Sequence, residues 1–212
     1  MASSSAEAAA TQSFYSEETA EFYAKTMVDE MTKLRPRLER FAAGLPEGII
    51  LDTSCGTGDM LAFFASLGRP ALHGVDLSAA MLAKARARCP TAEFTQGDMT
   101  VLEGWEAGSC AGVISSFAVH HLKADQAAEA VRRWASLLAP GGKLFLAGWE
   151  GSGDMDCGED APKDLVARKY SRATLESWLT DAGLAVSDVE LEKDEMGDSV
   201  YFQATKPAAA TA

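Results

Sequence analysis

The sequence lacks the features that mark a membrane, secreted or metal-binding protein. No apolar run is long enough to span a bilayer. The opening residues, MASSSAEAAATQ, contain neither an apolar signal core nor an arginine. The four cysteines, at positions 55, 89, 110 and 157, form no closely spaced pair, which predicts free thiols and no metal site. These absences favour a cytoplasmic protein without a membrane partner.

Basic residues are also few. The chain has 31 Asp and Glu against 19 Lys and Arg, which gives a formal net charge of -12. A nucleic-acid backbone requires a basic surface, so we expect no nucleic-acid partner. What is present is ordinary for a globular protein: 212 residues, of which 47% are hydrophobic and 24% charged. That length suits a single domain with a substantial core.

Short apolar runs alternate with amphipathic segments along most of the chain. Strands are predicted at 48–52, 71–75, 92–96, 112–116, 143–149, 184–191 and 199–205. Helices are predicted at 16–41, 58–67, 78–88, 124–138 and 171–182, with Pro36 kinking or dividing the first. This alternation predicts an α/β, Rossmann-like, doubly wound fold. It consists of a single domain with a mostly parallel seven-stranded sheet and an antiparallel C-terminal hairpin.

The stretch IILDTSCGTGDM ends a predicted strand in Asp52 and then supplies Gly56 and Gly58. Glycines allow the backbone to approach a ligand closely, and doubly wound sheets bind ligands beyond the carboxyl ends of their strands. The second run ends in Asp76, where an acid accepts hydrogen bonds from ribose hydroxyls. The third ends in Asp98. Three acids at one rim of a sheet predict a nucleoside site.

The type of nucleoside follows from a missing glycine. A dinucleotide site requires a further glycine three residues after Gly58, and Leu61 occupies that position. No P-loop lysine is present either. The sequence therefore favours an adenosine ligand without a pyrophosphate, with a dinucleotide-dependent reductase as the alternative.

Six segments in order resemble the class I S-adenosylmethionine-dependent methyltransferases, in the branch that methylates small molecules. They are ILDTSCGTG, GVDLSAAML, FTQGDM, ISSFAVHHL, LLAPGGKLFL and YSRATLESWLTDAGL, and the resemblance covers roughly residues 45–205. It implies S-adenosyl-L-methionine as cofactor and S-adenosyl-L-homocysteine as product. It also implies the cofactor-binding residues Asp52, Ser54, Gly56, Gly58, Asp76, Leu77, Met81, Asp98, Met99, Ser115 and Phe117.

The resemblance assigns roles to the three acids. Asp76 would hold the ribose hydroxyls, Asp98 the adenine amino group, and Asp52 the glycine loop and the cofactor's amino group. Ser54 departs from the glycine that is usual in this family. Serine is small, so we expect it to be accommodated unless that position requires a positive φ.

The acceptor side is expected to combine the N-terminal helix, the loop after the fourth strand and the insertion at 150–170. His120 and Tyr15 are the candidate catalytic residues, since a histidine titrates in the range needed for proton transfer at neutral pH. Tyr23, His121 and Trp149 are candidates for acceptor contacts. All five residues could equally serve packing. Four acids of the insertion, at positions 154, 156, 159 and 160, favour a cationic or zwitterionic acceptor.

The predicted function is methyl transfer by in-line displacement to an oxygen, nitrogen or sulfur atom of a small molecule. A non-catalytic partner protein that binds S-adenosylmethionine stays open, because transfer from an activated donor requires few catalytic residues. The domain is expected at 13–206, with a helical lid at 13–44 and the insertion at 150–170. Residues 1–12 and 207–212 are expected to be disordered tails, and the chain to be a monomer or homodimer.

Overall fold

The computed structural model describes residues 5–193 and 197–208. Its helices are α1 (Ser5–Phe14), α2 (Glu17–Ala43), α3 (Asp59–Ser66), α4 (Ala79–Arg88), α5 (Ala124–Leu137) and α6 (Arg172–Asp181). Its strands are β1 (Ile49–Asp52), β2 (Leu72–Asp76), β3 (Glu93–Gln96), β4 (Cys110–Ser116), β5 (Leu138–Trp149), β6 (Gly153–Asp154), β7 (Arg168–Lys169), β8 (Ala185–Glu192) and β9 (Ser199–Thr205). A 3-10 turn at Val119–His121 follows β4. No helix in these ranges is long and apolar enough to cross a membrane.

Seven of the strands form one sheet in the order β3-β2-β1-β4-β5-β9-β8. The first five strands in this order, β3, β2, β1, β4 and β5, are parallel to one another. In contrast, β9 runs antiparallel to both β5 and β8. This confirms the predicted doubly wound sheet with an antiparallel C-terminal hairpin. The strand order reverses between β1 and β4, and such a switch point is where ligands of these sheets bind.

The central strands are largely apolar because helices cover both faces of the sheet. In β1, Ile50 packs with residues of α2 and α3, whereas Leu51 packs in the cluster that holds α5 and α6. In β4, Ile114 packs in the same cluster as Ile50, and Val113 packs in the same cluster as Leu51. Alternate side chains therefore enter two separate cores, and the main chain at the strand ends is held rigidly between them.

The N-terminal region differs from the sequence prediction. The segment expected to be a disordered tail through residue 12 is helical from Ser5, and residues 1–4 lie outside the described ranges. Glu7 in α1 accepts a hydrogen bond from Gln126 Nε2 at 2.9 Å and forms an ion pair with Lys123, both at the start of α5. These tertiary contacts stabilise a helix that the local sequence does not predict. Residues 209–212 of the other expected tail also lie outside the described ranges.

Two further boundaries differ. Pro36 is predicted to kink or divide the first helix, and a division does not occur, because α2 continues through Pro36 to Ala43. The fifth strand begins at Leu138 and not at residue 143, since Leu138 already pairs with Cys110 of β4. Within the insertion at 150–170, β6 and β7 pair with each other. The tip of the last hairpin, at 194–196, lies outside the described residues.

Candidate cofactor and acceptor site

A cavity of about 790 Å³ lies at the carboxyl ends of β1, β2 and β4, at the switch point of the sheet. The loops after these strands form one part of its wall. The N-terminal helices α1 and α2 supply a second part, and the insertion supplies a third through Met155, Asp156, Cys157 and Ala167. Its volume lies within the usual range for a small-molecule or cofactor site.

The glycine loop after β1 is held in place by Asp76, the last residue of β2. Gly56 has a φ of 49°, a conformation that glycine adopts without strain. Its N–H donates to Asp76 Oδ2 at 2.8 Å, while Ser78 N–H donates to Asp76 Oδ1 at 2.9 Å. Asp76 therefore joins the loops after β1 and β2, and burial raises the pKa of its carboxyl.

Asp52, at the end of β1, is a buried carboxyl in the same cavity. Ser54 N–H donates to its Oδ1 at 3.3 Å, and no cationic side chain pairs with it within residues 5–193 and 197–208. Burial raises the pKa of Asp52 to about 7, and the nearby charge of Asp76 acts in the same direction. A positively charged group placed in the cavity would favour the ionised form.

Ser54 does not need the conformational freedom of glycine. Outside glycine, positive φ occurs in the described part of the chain only at Leu102 and Phe117. The Ser54 side chain lines the cavity, and its Oγ is buried without a protein hydrogen-bond partner. A buried hydroxyl without a partner is costly, so a polar ligand atom at this position would be favourable.

The structure brings most of the predicted cofactor residues to the cavity wall. Those that line it are Asp52, Ser54, Gly56, Asp76, Leu77, Met81, Met99 and Phe117. Their convergence follows from the parallel strands, whose carboxyl ends all meet at one edge of the sheet.

Three predicted cofactor residues do not line the cavity. Gly58 begins α3 with a φ of 81°, and a Cβ there would lie 2.9 Å from Ala85 in α4, so this glycine allows helix packing. Asp98 Oδ1 accepts hydrogen bonds from the N–H and the hydroxyl of Thr100, both at 2.7 Å. Ser115 points into the core, and the adjacent Ser116 lines the cavity instead.

The two histidines after β4 have different environments. His121 Nδ1 donates to the Val166 carbonyl at 2.8 Å, because a carbonyl can only accept. Its Nε2 is therefore the acceptor for the Tyr15 hydroxyl, also at 2.8 Å. His120 lines the cavity with its ring centroid 4.0 Å from that of His121, and its buried Nδ1 has no partner in the described residues. Burial, and then His121, lower the pKa of His120 well below its usual value, so its imidazole is neutral at pH 7.

Tyr15 connects the N-terminal helices to the rest of the site. Its hydroxyl donates to His121, and its carbonyl accepts from Ser78 Oγ at 2.6 Å. Burial and the neighbouring Tyr23 raise the pKa of Tyr15 well above its usual value. The phenol therefore stays protonated at neutral pH, and its position is that of an anchor between α1, α2 and the two loops.

Trp149 and Tyr23, two candidates for acceptor contacts, also line the cavity. Of the four acids in the insertion, only Asp156 does. Asp154 instead pairs with Arg168 at 2.7 Å across β6 and β7. The described residues contain no group of three or more His, Cys, Asp or Glu side chains able to hold a metal ion.

Sequence reasoning missed Phe22 and Tyr201, both of which line the cavity. Phe22 lies on α2. Only the orientation of that helix in the fold decides that Phe22 faces the cavity. Tyr201 lies opposite Ala147 in the β5–β9 pairing, which brings the C-terminal hairpin to the site. No local motif marks either residue.

The strand order, the antiparallel final hairpin and the glycine loop with its acids define the fold of the class I S-adenosylmethionine-dependent methyltransferases. Comparison with protein families agrees: residues 50–142 match the model of the methyltransferase domain. Residues 50–142 thus match a methyltransferase domain, within a chain that has the class I fold.

The relatives and solved structures that the chain resembles include several methyltransferases. The chain is 38% identical over 103 residues, 47% of its length, to the dTDP-3-amino-3,4,6-trideoxy-alpha-D-glucopyranose N,N-dimethyltransferase of Streptomyces venezuelae. Its fold is similar to that of the 1,6-didemethyltoxoflavin-N1-methyltransferase of Burkholderia thailandensis, with a TM-score of 0.73, 20% identity and coverage of 98% of this chain and 92% of that one. It is also similar to the magnesium protoporphyrin IX methyltransferase of Synechocystis, which has S-adenosylmethionine bound, with a TM-score of 0.66, 20% identity and coverage of 84% and 80%.

The alignments with curated relatives cover 46–54% of this chain. The chain spans between 40% and 46% of the length of the curated relatives that it matches.

Proposed function

We propose that this protein transfers a methyl group from S-adenosyl-L-methionine to an oxygen, nitrogen or sulfur atom of a small molecule. The observation that carries the proposal is the pair of carboxyls beside the Gly56 loop at the switch point, the buried Asp52 and the half-buried Asp76. Asp52 is buried without a cationic partner among the described residues, and Asp76 has acceptor capacity left after its two main-chain hydrogen bonds.

The residues present fit this cofactor. Asp76 would accept from the ribose hydroxyls, and Asp52 would pair with the ammonium of the methionine portion. Ser54 Oγ, which has no protein partner, is placed to bond a polar atom of the same portion. When bound, the cofactor supplies an activated methyl group on a sulfonium. The chain's contribution is to align the acceptor and exclude water, and α1 and α2 cover the cavity where this would occur.

The acceptor's chemistry is not decided by family membership. Two of the similar proteins are named for different acceptors, an amino sugar nucleotide in one case and 1,6-didemethyltoxoflavin in the other. A small molecule is supported by the enclosure of the cavity under the N-terminal helices. A cationic or zwitterionic acceptor is supported within the insertion by Asp156 alone.

His120 is our candidate for contact with the acceptor, because its neutral imidazole lines the cavity and its buried Nδ1 has no partner in the described residues. His120→Ala should lower kcat by roughly 10²- to 10⁴-fold if it acts as the base, with the Kd for S-adenosylmethionine nearly unchanged. Turnover equal to that of the wild type would return His120 to a packing role.

Calorimetric titration with S-adenosylmethionine, S-adenosylhomocysteine and NADH tests the proposal directly. We expect saturable binding of the first two and none of NADH. Binding of NADH alone would support the dinucleotide-dependent reductase. Cofactor binding without turnover on any screened oxygen, nitrogen or sulfur acceptor would favour a non-catalytic partner protein.

A further inference from the structure

We propose that the acceptor is a planar aromatic or heteroaromatic molecule, which this cavity binds by stacking. The inference rests on the proposed function and specifies the substrate class of the same site. Aromatic residues make up 8% of the chain, yet seven of them line this one cavity. They belong to two groups, one on the N-terminal helices and the other at the end of the sheet.

The first group consists of Phe14, Tyr15, Phe22 and Tyr23, which we call the lid aromatics. The Phe14 and Tyr15 rings lie 5.3 Å apart, Tyr15 and Tyr23 5.9 Å, and Phe22 and Tyr23 6.0 Å, all with edge-on geometry. Phe22 is 62% exposed. A large exposed ring at the wall of a cavity is placed to meet a ligand.

The second group consists of Phe117, Trp149 and Tyr201, which we call the sheet aromatics. Phe117 lies between the other two, 5.0 Å from Trp149 and 5.9 Å from Tyr201. Its φ is 48°, a left-handed conformation that is costly for a bulky side chain and that clusters at functional sites. Its N–H donates to the Ala147 carbonyl at 2.9 Å, which holds this conformation at the end of β4.

The charged side chains around the cavity are mostly paired with residues of the protein. Lys25 pairs with Glu21 at 3.2 Å, and Asp59 with Arg88. Glu192 pairs with Arg37 at 2.9 Å.

Two more charged residues of the wall, Lys33 and Glu30, pair with each other at 3.2 Å. Asp29 and Asp156, which also line the cavity, are exposed to solvent. On the acceptor side, the groups available to contact a ligand are therefore mainly aromatic rings and not buried, unpaired charges. Flat rings match this side better than an aliphatic ammonium group does, because aromatic pairs gain free energy beyond the area they bury.

The test uses the wild-type protein saturated with S-adenosylhomocysteine and three probes: 2-naphthol, decahydro-2-naphthol and choline. The first two have the same carbon skeleton, and the saturated one is not planar. We expect 2-naphthol to bind most tightly by calorimetry. Phe22→Leu and Trp149→Leu should each weaken it by roughly two- to tenfold, the worth of one aromatic pair. The affinity for decahydro-2-naphthol should stay within twofold in both variants.

Leu67→Ala is the matched control, since Leu67 is also exposed but does not line the cavity. Decahydro-2-naphthol or choline binding as tightly as 2-naphthol, or no binding of 2-naphthol, would overturn the aromatic acceptor while leaving the methyltransferase proposal intact. Failure of S-adenosylhomocysteine itself to bind would instead remove the proposed function, and this inference with it. Phe22 is largely exposed, so its variant is expected to fold, and S-adenosylhomocysteine affinity verifies this for both variants.

Discussion

At the scale of single residues, the site depends on two carboxyls in different situations. Asp76 accepts two main-chain hydrogen bonds and organises the loops after β1 and β2. Asp52 has one long hydrogen bond from Ser54 N–H, and the pKa of its carboxyl is raised to about 7 by burial. The first residue shapes the site, and the second makes its charge depend on pH.

Asp76→Ala should weaken S-adenosylmethionine binding by roughly 1.5–3 kcal/mol, the worth of hydrogen bonds to a charged group. Calorimetry measures the change, and Asp181→Ala, an exposed acid at the end of α6, is the control. An unchanged dissociation constant in Asp76→Ala would contradict the ribose assignment. Asp76→Asn keeps one acceptor oxygen for the loop, so it should lose less than Asp76→Ala.

The affinity for S-adenosylmethionine should fall as the pH is lowered from 7.5 to 5.5, by up to about tenfold per unit below pH 7. The free protein holds Asp52 neutral below its pKa of about 7, whereas the cofactor's ammonium requires the carboxylate. Acidification therefore adds the cost of removing that proton. Asp76, whose carboxyl pKa is also raised, acts in the same direction.

Calorimetry across this pH range on the wild type and Asp52→Asn measures the effect. The variant should bind more weakly at pH 7.5 and should lose most of the pH dependence. An equally steep profile in Asp52→Asn would assign the titration to another group.

At the scale of elements, the N-terminal helices form a cover that is attached at several points. Glu7 attaches α1 to the start of α5, while Tyr15 attaches the α1–α2 junction to His121 and Ser78. His121 in turn donates to Val166 in the insertion. The cover, the turn after β4 and the insertion are thus joined through one tyrosine and one histidine.

Tyr15→Phe should destabilise the protein by roughly 1–3 kcal/mol, since it leaves the buried His121 Nε2 without its donor. Denaturant unfolding measures this change. Tyr170→Phe is a matched control because its hydroxyl donates to the Leu122 carbonyl, and Tyr170 does not line the cavity.

Both variants should lose stability, but only Tyr15→Phe should also weaken the affinity for S-adenosylmethionine, because only Tyr15 holds the cover on the cavity. If kcat falls much further than this affinity, the phenol takes part in the chemistry. Wild-type stability in Tyr15→Phe would show that the cover is held without this hydrogen bond.

At the scale of the whole molecule, the cavity is built from both halves of the chain. The glycine loop and the acids come from β1 and β2, whereas Trp149 and Tyr201 come from β5 and β9. Alternate residues of the central strands enter the two cores on either face of the sheet. A ligand in the cavity should therefore stabilise the domain as one unit.

S-adenosylhomocysteine at one hundred times its dissociation constant should raise the free energy of unfolding by about 2.7 kcal/mol. For a chain of this size that corresponds to a rise of roughly 5–10 °C in Tm. Thermal unfolding followed by circular dichroism measures it, with NADH at the same concentration as the control. Two separate transitions, only one of them shifted, would contradict unfolding as a single unit.

The sequence by itself determined the order of strands and helices, the doubly wound class and the acids at the strand ends. These follow from local patterns: buried strands are largely apolar, Ser16 and Ser78 cap the helices that follow them, and parallel strands end at one edge. Asp52, Asp76 and the Gly56 loop could be assigned to one site for that reason.

Only the tertiary structure decided the rest, because those features depend on contacts between residues distant in the chain. Helix α1 forms against α5 through Glu7, and Tyr201 reaches the cavity through the register of β9 on β5. Asp98 bonds Thr100 and does not line the cavity, although its position in the sequence resembles that of Asp76. Side-chain direction at a strand end is set by the packing of the loop that follows it, and residue spacing does not encode that packing.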